Sequence, residues 1–90
     1  MLIKVKDIVG LEIHFADPDE AVCSWSKETS WWNHKLILHK THSGRYWQQS
    51  PSDSFYTKFL SHRDAAVWLL ESGYQVPKDL EYLLKNIVVI

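Results

Sequence analysis

Ser61-His-Arg-Asp-Ala-Ala-Val-Trp-Leu-Leu-Glu-Ser-Gly73 contains the start, body and stop of one helix. Ser61 with Asp64 three places on forms a capping pair, which satisfies free backbone N–H groups at a helix N-terminus. Gly73 favours the left-handed conformation that ends a helix. At 100° per residue, Asp64 and Glu71 fall on the wet side, Ala65, Ala66, Leu69 and Leu70 cover the opposite face, and Trp68 lies at the boundary. Directly beyond, Tyr74-Gln-Val-Pro77 is a tight connector. A second amphipathic helix follows, with Leu80, Leu83, Leu84 and Ile87 at i, i+3, i+4 and i+7.

Upstream of these helices the period changes to two. Ile3 and Val5 alternate with Lys4 and Lys6, and Leu11, Ile13 and Phe15 alternate with Glu12 and His14, which is the pattern of half-buried strands. Asp17-Pro-Asp-Glu20 reads as a helix start, with Asp17 as cap and Pro18 in the first turn, so a short helix is expected to about Lys27. Trp32 to Thr41 is expected as a central strand, because Leu36-Ile-Leu38 is apolar on both faces. His42-Ser43-Gly44 fits a three-residue hairpin loop with glycine in the left-handed position. Its return strand, Arg45 to Gln49, sets Thr41 against Arg45, Lys40 against Tyr46 and His39 against Trp47. Ser50-Pro-Ser-Asp-Ser54 is a turn, and Phe55 to Leu60 a further strand. Strands followed by helices give an α+β fold: a small, mainly antiparallel sheet of four to five strands with two to three helices on one face.

Ninety residues make a single domain, 1–90, near the lower limit for an independent core. The 46% hydrophobic and 13% aromatic content, with five Trp, supplies the apolar area such a core needs. Cys23 is the only cysteine, so no intrachain disulfide is available and a reducing, cytoplasmic setting is expected. Nothing resembles a signal peptide or a run of about 20 apolar residues, so no membrane partner is expected.

A net charge of −1 argues against a general polyanion binder, but its distribution is uneven. No Asp or Glu occurs between Glu28 and Asp53, an interval that carries Lys35, Lys40 and Arg45. Its local charge of +3 leaves −4 for the remainder. Trp31, Trp32, Tyr46 and Trp47 interleave with those cations. Packing against the helices is the ordinary use of such rings. The sharper reading is a docking surface in which Trp31, Trp32, Tyr46 and Trp47 anchor a protein partner while Lys35, Lys40 and Arg45 orient it. The same residues suit a single nucleic-acid strand, through stacking and phosphate contacts.

Catalytic readings are weaker. His34, His39 and His42 invite a metal, but His34 and His39 differ by an odd number and face opposite sides of a strand. Cys23, expected on a helix beside Val22, reads as a small buried thiol rather than a nucleophile. Asp17, Asp19 and Glu20 are stabilised by a helix dipole without any cation. Ser61 is used as a cap, and Gly10, Gly44 and Gly73 form no phosphate loop. No cofactor or catalytic residue is expected.

Gly44-Arg-Tyr-Trp47 with Leu60-Ser-His-Arg-Asp-Ala-Ala-Val-Trp-Leu69 resembles small bacterial proteins, some from plasmids and phages; the resemblance implies no activity and no site residues. The expected function is therefore a non-catalytic cytoplasmic regulator or inhibitor of antitoxin, immunity or anti-defence type, docking on a protein. The alternatives are a nucleic-acid binder using the same hairpin and a small metal- or thiol-dependent enzyme. A homodimer through the hairpin or through Ile87-Val-Val-Ile90 is also compatible with the sequence.

Overall fold

The computed structural model describes residues 1–8, 13–29 and 34–86. Leu11 and Glu12, Trp31 and Trp32, and the 87–90 tail lie outside the described residues. The chain forms a six-stranded sheet in the order β2-β1-β6-β5-β4-β3. The strands are β1 (Ile3–Lys6), β2 (Ile13–Ala16), β3 (Cys23–Thr29), β4 (His34–Lys40), β5 (Tyr46–Gln49) and β6 (Lys58–Leu60). Helix α1 (His62–Glu71) and a 3₁₀ helix (Lys78–Asn86) follow. The fold is α+β, but its sheet is larger than the four to five strands expected, and it is mixed. β1 pairs parallel to β6 at Lys6↔Lys58, and the other neighbours are antiparallel.

The added strand is the segment expected to be a helix. Asp17 does cap a turn, accepting from the Asp19 amide at 3.0 Å, but the turn is a 3₁₀ piece of three residues, Pro18–Glu20. From Cys23 on, Trp25, Lys27 and Thr29 are shielded while Ser24, Ser26 and Glu28 are exposed, the period-two alternation of a strand. Pairing with β4 along the whole segment, Cys23↔Lys40 to Thr29↔His34, outweighs the local helix signal.

The hairpin forms in the register expected from its loop, with Lys40↔Tyr46 and His39↔Trp47 paired. Gly44 has φ +83°, the left-handed conformation the turn requires. Gly73, at φ +80°, ends α1, and Ser61 Oγ accepts from the Asp64 amide at 3.1 Å. In α1 the buried set is Ala65, Ala66, Trp68 and Leu69, so Trp68 takes the inward place expected of Leu70. Its indole N–H donates to Gln48 Oε1 at 3.1 Å, and its ring stacks on Tyr74, satisfying both ends of a large amphipathic side chain. The C-terminal helix is 3₁₀ rather than α. Three residues per turn align Leu80 with Leu83 on the inner side and turn Leu84 outward. Phe55 to Leu60 is not one strand. Asp53 caps a 3₁₀ turn, Ser54–Tyr56, before β6 begins.

One face of the sheet packs under the helices: Leu38 and Tyr46 meet Ala65, Ala66, Trp68, Leu69, Val76 and Leu80. On the opposite face Val5, Trp47 and Phe59 form a second cluster, flanked by Ile3 and Ala16. The link between β2 and β3 helps close that side. Five strand spacings make the flat sheet about 24 Å wide. Seven chain steps from Ala16 to Cys23 reach about 25 Å only when fully extended. Because part of the link is a 3₁₀ turn, it is too short to span a flat sheet, and Asp17, Glu20 and Ala21 of the link line one hollow with Thr41, His42 and Trp47.

Candidate binding face

The hairpin divides its residues between core and solvent. Tyr46 is 0% exposed and Trp47 is 1% exposed, so both rings belong to the interior. Tyr46 Oη donates to Asp79 Oδ2 at 2.8 Å, and Lys40 Nζ lies 3.2 Å from the same oxygen. Burial, reinforced by the adjacent carboxylate, holds the Tyr46 phenol protonated well above its ordinary range. At Asp79, burial pushes the pKa up, but hydrogen bonds from Tyr46 and Lys40 and the charge of Lys40 outweigh it, and the net shift is downward. Arg45 is exposed, with its guanidinium 3.8 Å from the centre of the Phe59 ring. Lys35 is exposed on β4 opposite Glu28. Trp31 and Trp32, the other two expected anchors, lie outside the described residues.

His39 is buried against Trp47, with ring centroids 4.5 Å apart. Its Nε2 lies 2.8 Å from Gln49 Oε1 and its Nδ1 lies 2.6 Å from Ser24 Oγ. With Oε1 accepting, Nε2 carries the proton and Nδ1 accepts from the serine, a fully satisfied neutral imidazole. Burial lowers its pKa, and the Gln49 bond offsets this only in part. His34 shares a 2.7 Å hydrogen bond with Ser52 Oγ. Cys23 is exposed on the edge strand β3, not buried in a helix as expected, because its segment is extended. Among the described residues, no three His, Cys, Asp or Glu side chains are grouped as a metal ion would require.

A different surface emerges where the helices stop. Among the described residues, they cover the β3–β5 side of the sheet and leave β2, β1 and part of β6 open on the same face. Register Lys4↔Phe15 and Lys6↔Ile13 puts these four side chains together, and Lys6↔Lys58 adds a third lysine. All three lysines are exposed. Ile13 is 68% exposed and Phe15 61%, whereas His14 and Ala16 of the same strand turn inward. Phe55 and Tyr56, from the turn before β6, stand at the rim, edge to face at 5.2 Å. The Lys6 ammonium sits 4.0 Å over the Phe55 ring, a cation–π contact, and Phe55 remains 64% exposed.

The uneven charge of the sequence points to the middle of the chain and not to this face. Its signal is the charge at every second residue of Lys4-Val-Lys6, with Ile13 and Phe15 in the neighbouring strand. The element that hides it is pairing: only the register shows that the apolar side of β2 joins the lysine side of β1. Comparison with protein-family models, curated proteins and solved structures finds no match to this chain.

Proposed function

We propose that this chain is a non-catalytic binding protein, a regulator or inhibitor that docks on a macromolecular partner through the open face of β2, β1 and β6. The observation that carries the reading is the inverted alternation of β2. A strand on a small core ordinarily turns its large apolar residues inward, yet here Ile13 and Phe15 face water while His14 faces the core. Exposing such residues beside three lysines forgoes burial that a ninety-residue domain can use, and contiguous exposed apolar surface with a polar rim is typical of contact sites. Antitoxin, immunity and anti-defence proteins are compatible forms of such a regulator.

The non-catalytic part of the reading is supported by the state of the titratable groups. His39 has both nitrogens engaged within the fold, and the Tyr46 phenol is held by Asp79. Site-specific photo-crosslinking in the native host tests docking without assuming the partner's class. Benzoylphenylalanine in place of Phe15 is expected to give a heavier adduct with protein or nucleic acid, and the same probe in place of the exposed Arg63 on α1 none. No adduct at position 15, the same adducts at both positions, or only an adduct of twice the chain's own mass contradicts the proposal.

A further inference from the structure

We infer that the partner of the open face is a single-stranded nucleic acid; the inference rests on the docking reading above and names its ligand class. Three features converge. Lys4, Lys6 and Lys58 form a cluster of exposed ammonium groups across β1 and β6. Lys4 and Lys6, two residues apart on one strand, stand about 7 Å from each other, so they meet successive charges of an extended polyanion rather than one isolated anion. Among the described residues, these strands carry no Asp or Glu on this face, and Asp53, which accepts from the Phe55 amide, stands at the turn beside it.

The rings supply the second half. Phe15 stands on the edge strand opposite Lys4, and Phe55 and Tyr56 rise from the turn beside Lys6. Solvent-exposed rings interleaved with cations match a strand whose bases stack on aromatic side chains while its phosphates meet positive charge. A duplex keeps its base faces stacked internally and offers these rings nothing. A protein partner fits less well, because lysine is depleted at the centres of protein interfaces, where it would have to be desolvated. Lysines at phosphates remain partly hydrated and gain from counterion release.

The test is fluorescence anisotropy of labelled single-stranded 20-mers, DNA and RNA, with the full chain. With three phosphate contacts on a single strand, affinity is expected to fall about 20-fold between 50 and 200 mM salt. Phe15→Ala and Phe55→Ala are each expected to weaken binding about tenfold. Lys4→Glu with Lys6→Glu is expected to abolish binding at 200 mM salt, while Lys85→Glu, at the exposed C-terminal helix, leaves affinity unchanged. The inference is overturned by no binding at 50 mM salt, by equal affinity for the duplex of the same sequence, or by ring variants with unaltered affinity. It is also overturned if Lys85→Glu weakens binding as much as the β1 pair. Should oligonucleotides fail while position 15 crosslinks to a protein, the nucleic-acid inference falls and the docking reading stands. If the crosslink is also absent, both fall.

Discussion

The two halves of this sheet obey the same alternation but finish differently. On the β3–β5 side, inward-facing Leu38 and Tyr46 are covered by α1 and the 3₁₀ helix, with Trp25, Leu36 and Tyr74 packed against the same cluster. On the β2–β1–β6 side, the equivalent face carries Lys4, Lys6, Ile13, Phe15 and Lys58, and among the described residues no helix is laid over it. The first half therefore stabilises the fold. The second leaves Ile13 and Phe15 exposed beside three exposed lysines.

That contrast predicts a graded set of responses. The largest belongs to the covered half: Trp68→Ala should cost about 3–5 kcal/mol, since it removes a buried indole and orphans Gln48 Oε1. Urea unfolding measures it, and a loss below about 1 kcal/mol would mean the helix does not seal that half. Next is Tyr46→Phe, expected to cost about 1.5–3 kcal/mol through loss of a hydrogen bond to a carboxylate. Tyr46 also makes the protein alkali-sensitive. Its folded pKa is raised, so the neutral phenol contributes stability that is complete below about pH 10 and lost as the unfolded chain ionises above it. The phenylalanine variant should show a shallower fall there.

Acid should act first on the other face of the sheet. His39 has a lowered folded pKa, so below about pH 6.5 the unfolded chain binds the proton that the folded chain refuses. Stability then declines as pH falls through that window. Below about pH 4 the depressed Asp79 adds a second loss of the same sign, because its carboxylate is paired only in the folded state. Comparing urea midpoints at pH 7.5 and 5.5 for the native chain and His39→Gln isolates the histidine; identical pH slopes would rule it out as the cause. The smallest stability effect belongs to the open half. Phe15→Ala should change unfolding free energy by no more than about 0.5 kcal/mol while weakening partner binding. A destabilisation matching that of Trp68→Ala would erase the distinction between the halves.

What was legible in the sequence was local. The caps at Ser61 and Asp17, the left-handed glycines and the hairpin register all follow from residues a few positions apart, and all are present. The failures are those of local signals set against distant pairing. Asp17-Pro-Asp-Glu20 carries the chemistry of a helix start, but Cys23–Thr29 gains more by pairing along β4 than a short helix would gain alone. The parallel β1–β6 contact joins Lys6 to Lys58, a separation that no periodicity reveals. For the same reason the sequence does not show which rings stand near which lysines. The hairpin rings Tyr46 and Trp47 are core, while Phe15 and Phe55, far apart in sequence, are brought to one lysine-bearing surface by strand register and a turn.

Backbone amide shifts of the ¹⁵N-labelled chain, followed by NMR while single-stranded oligothymidine is added at low salt, test the open face most directly. The account predicts perturbations gathered on Lys4, Lys6, Ile13, Phe15, Phe55 and Lys58, with α1 and the 3₁₀ helix unmoved. Perturbations centred on the helices or on the 41–44 turn, or a spectrum that does not change, would contradict it.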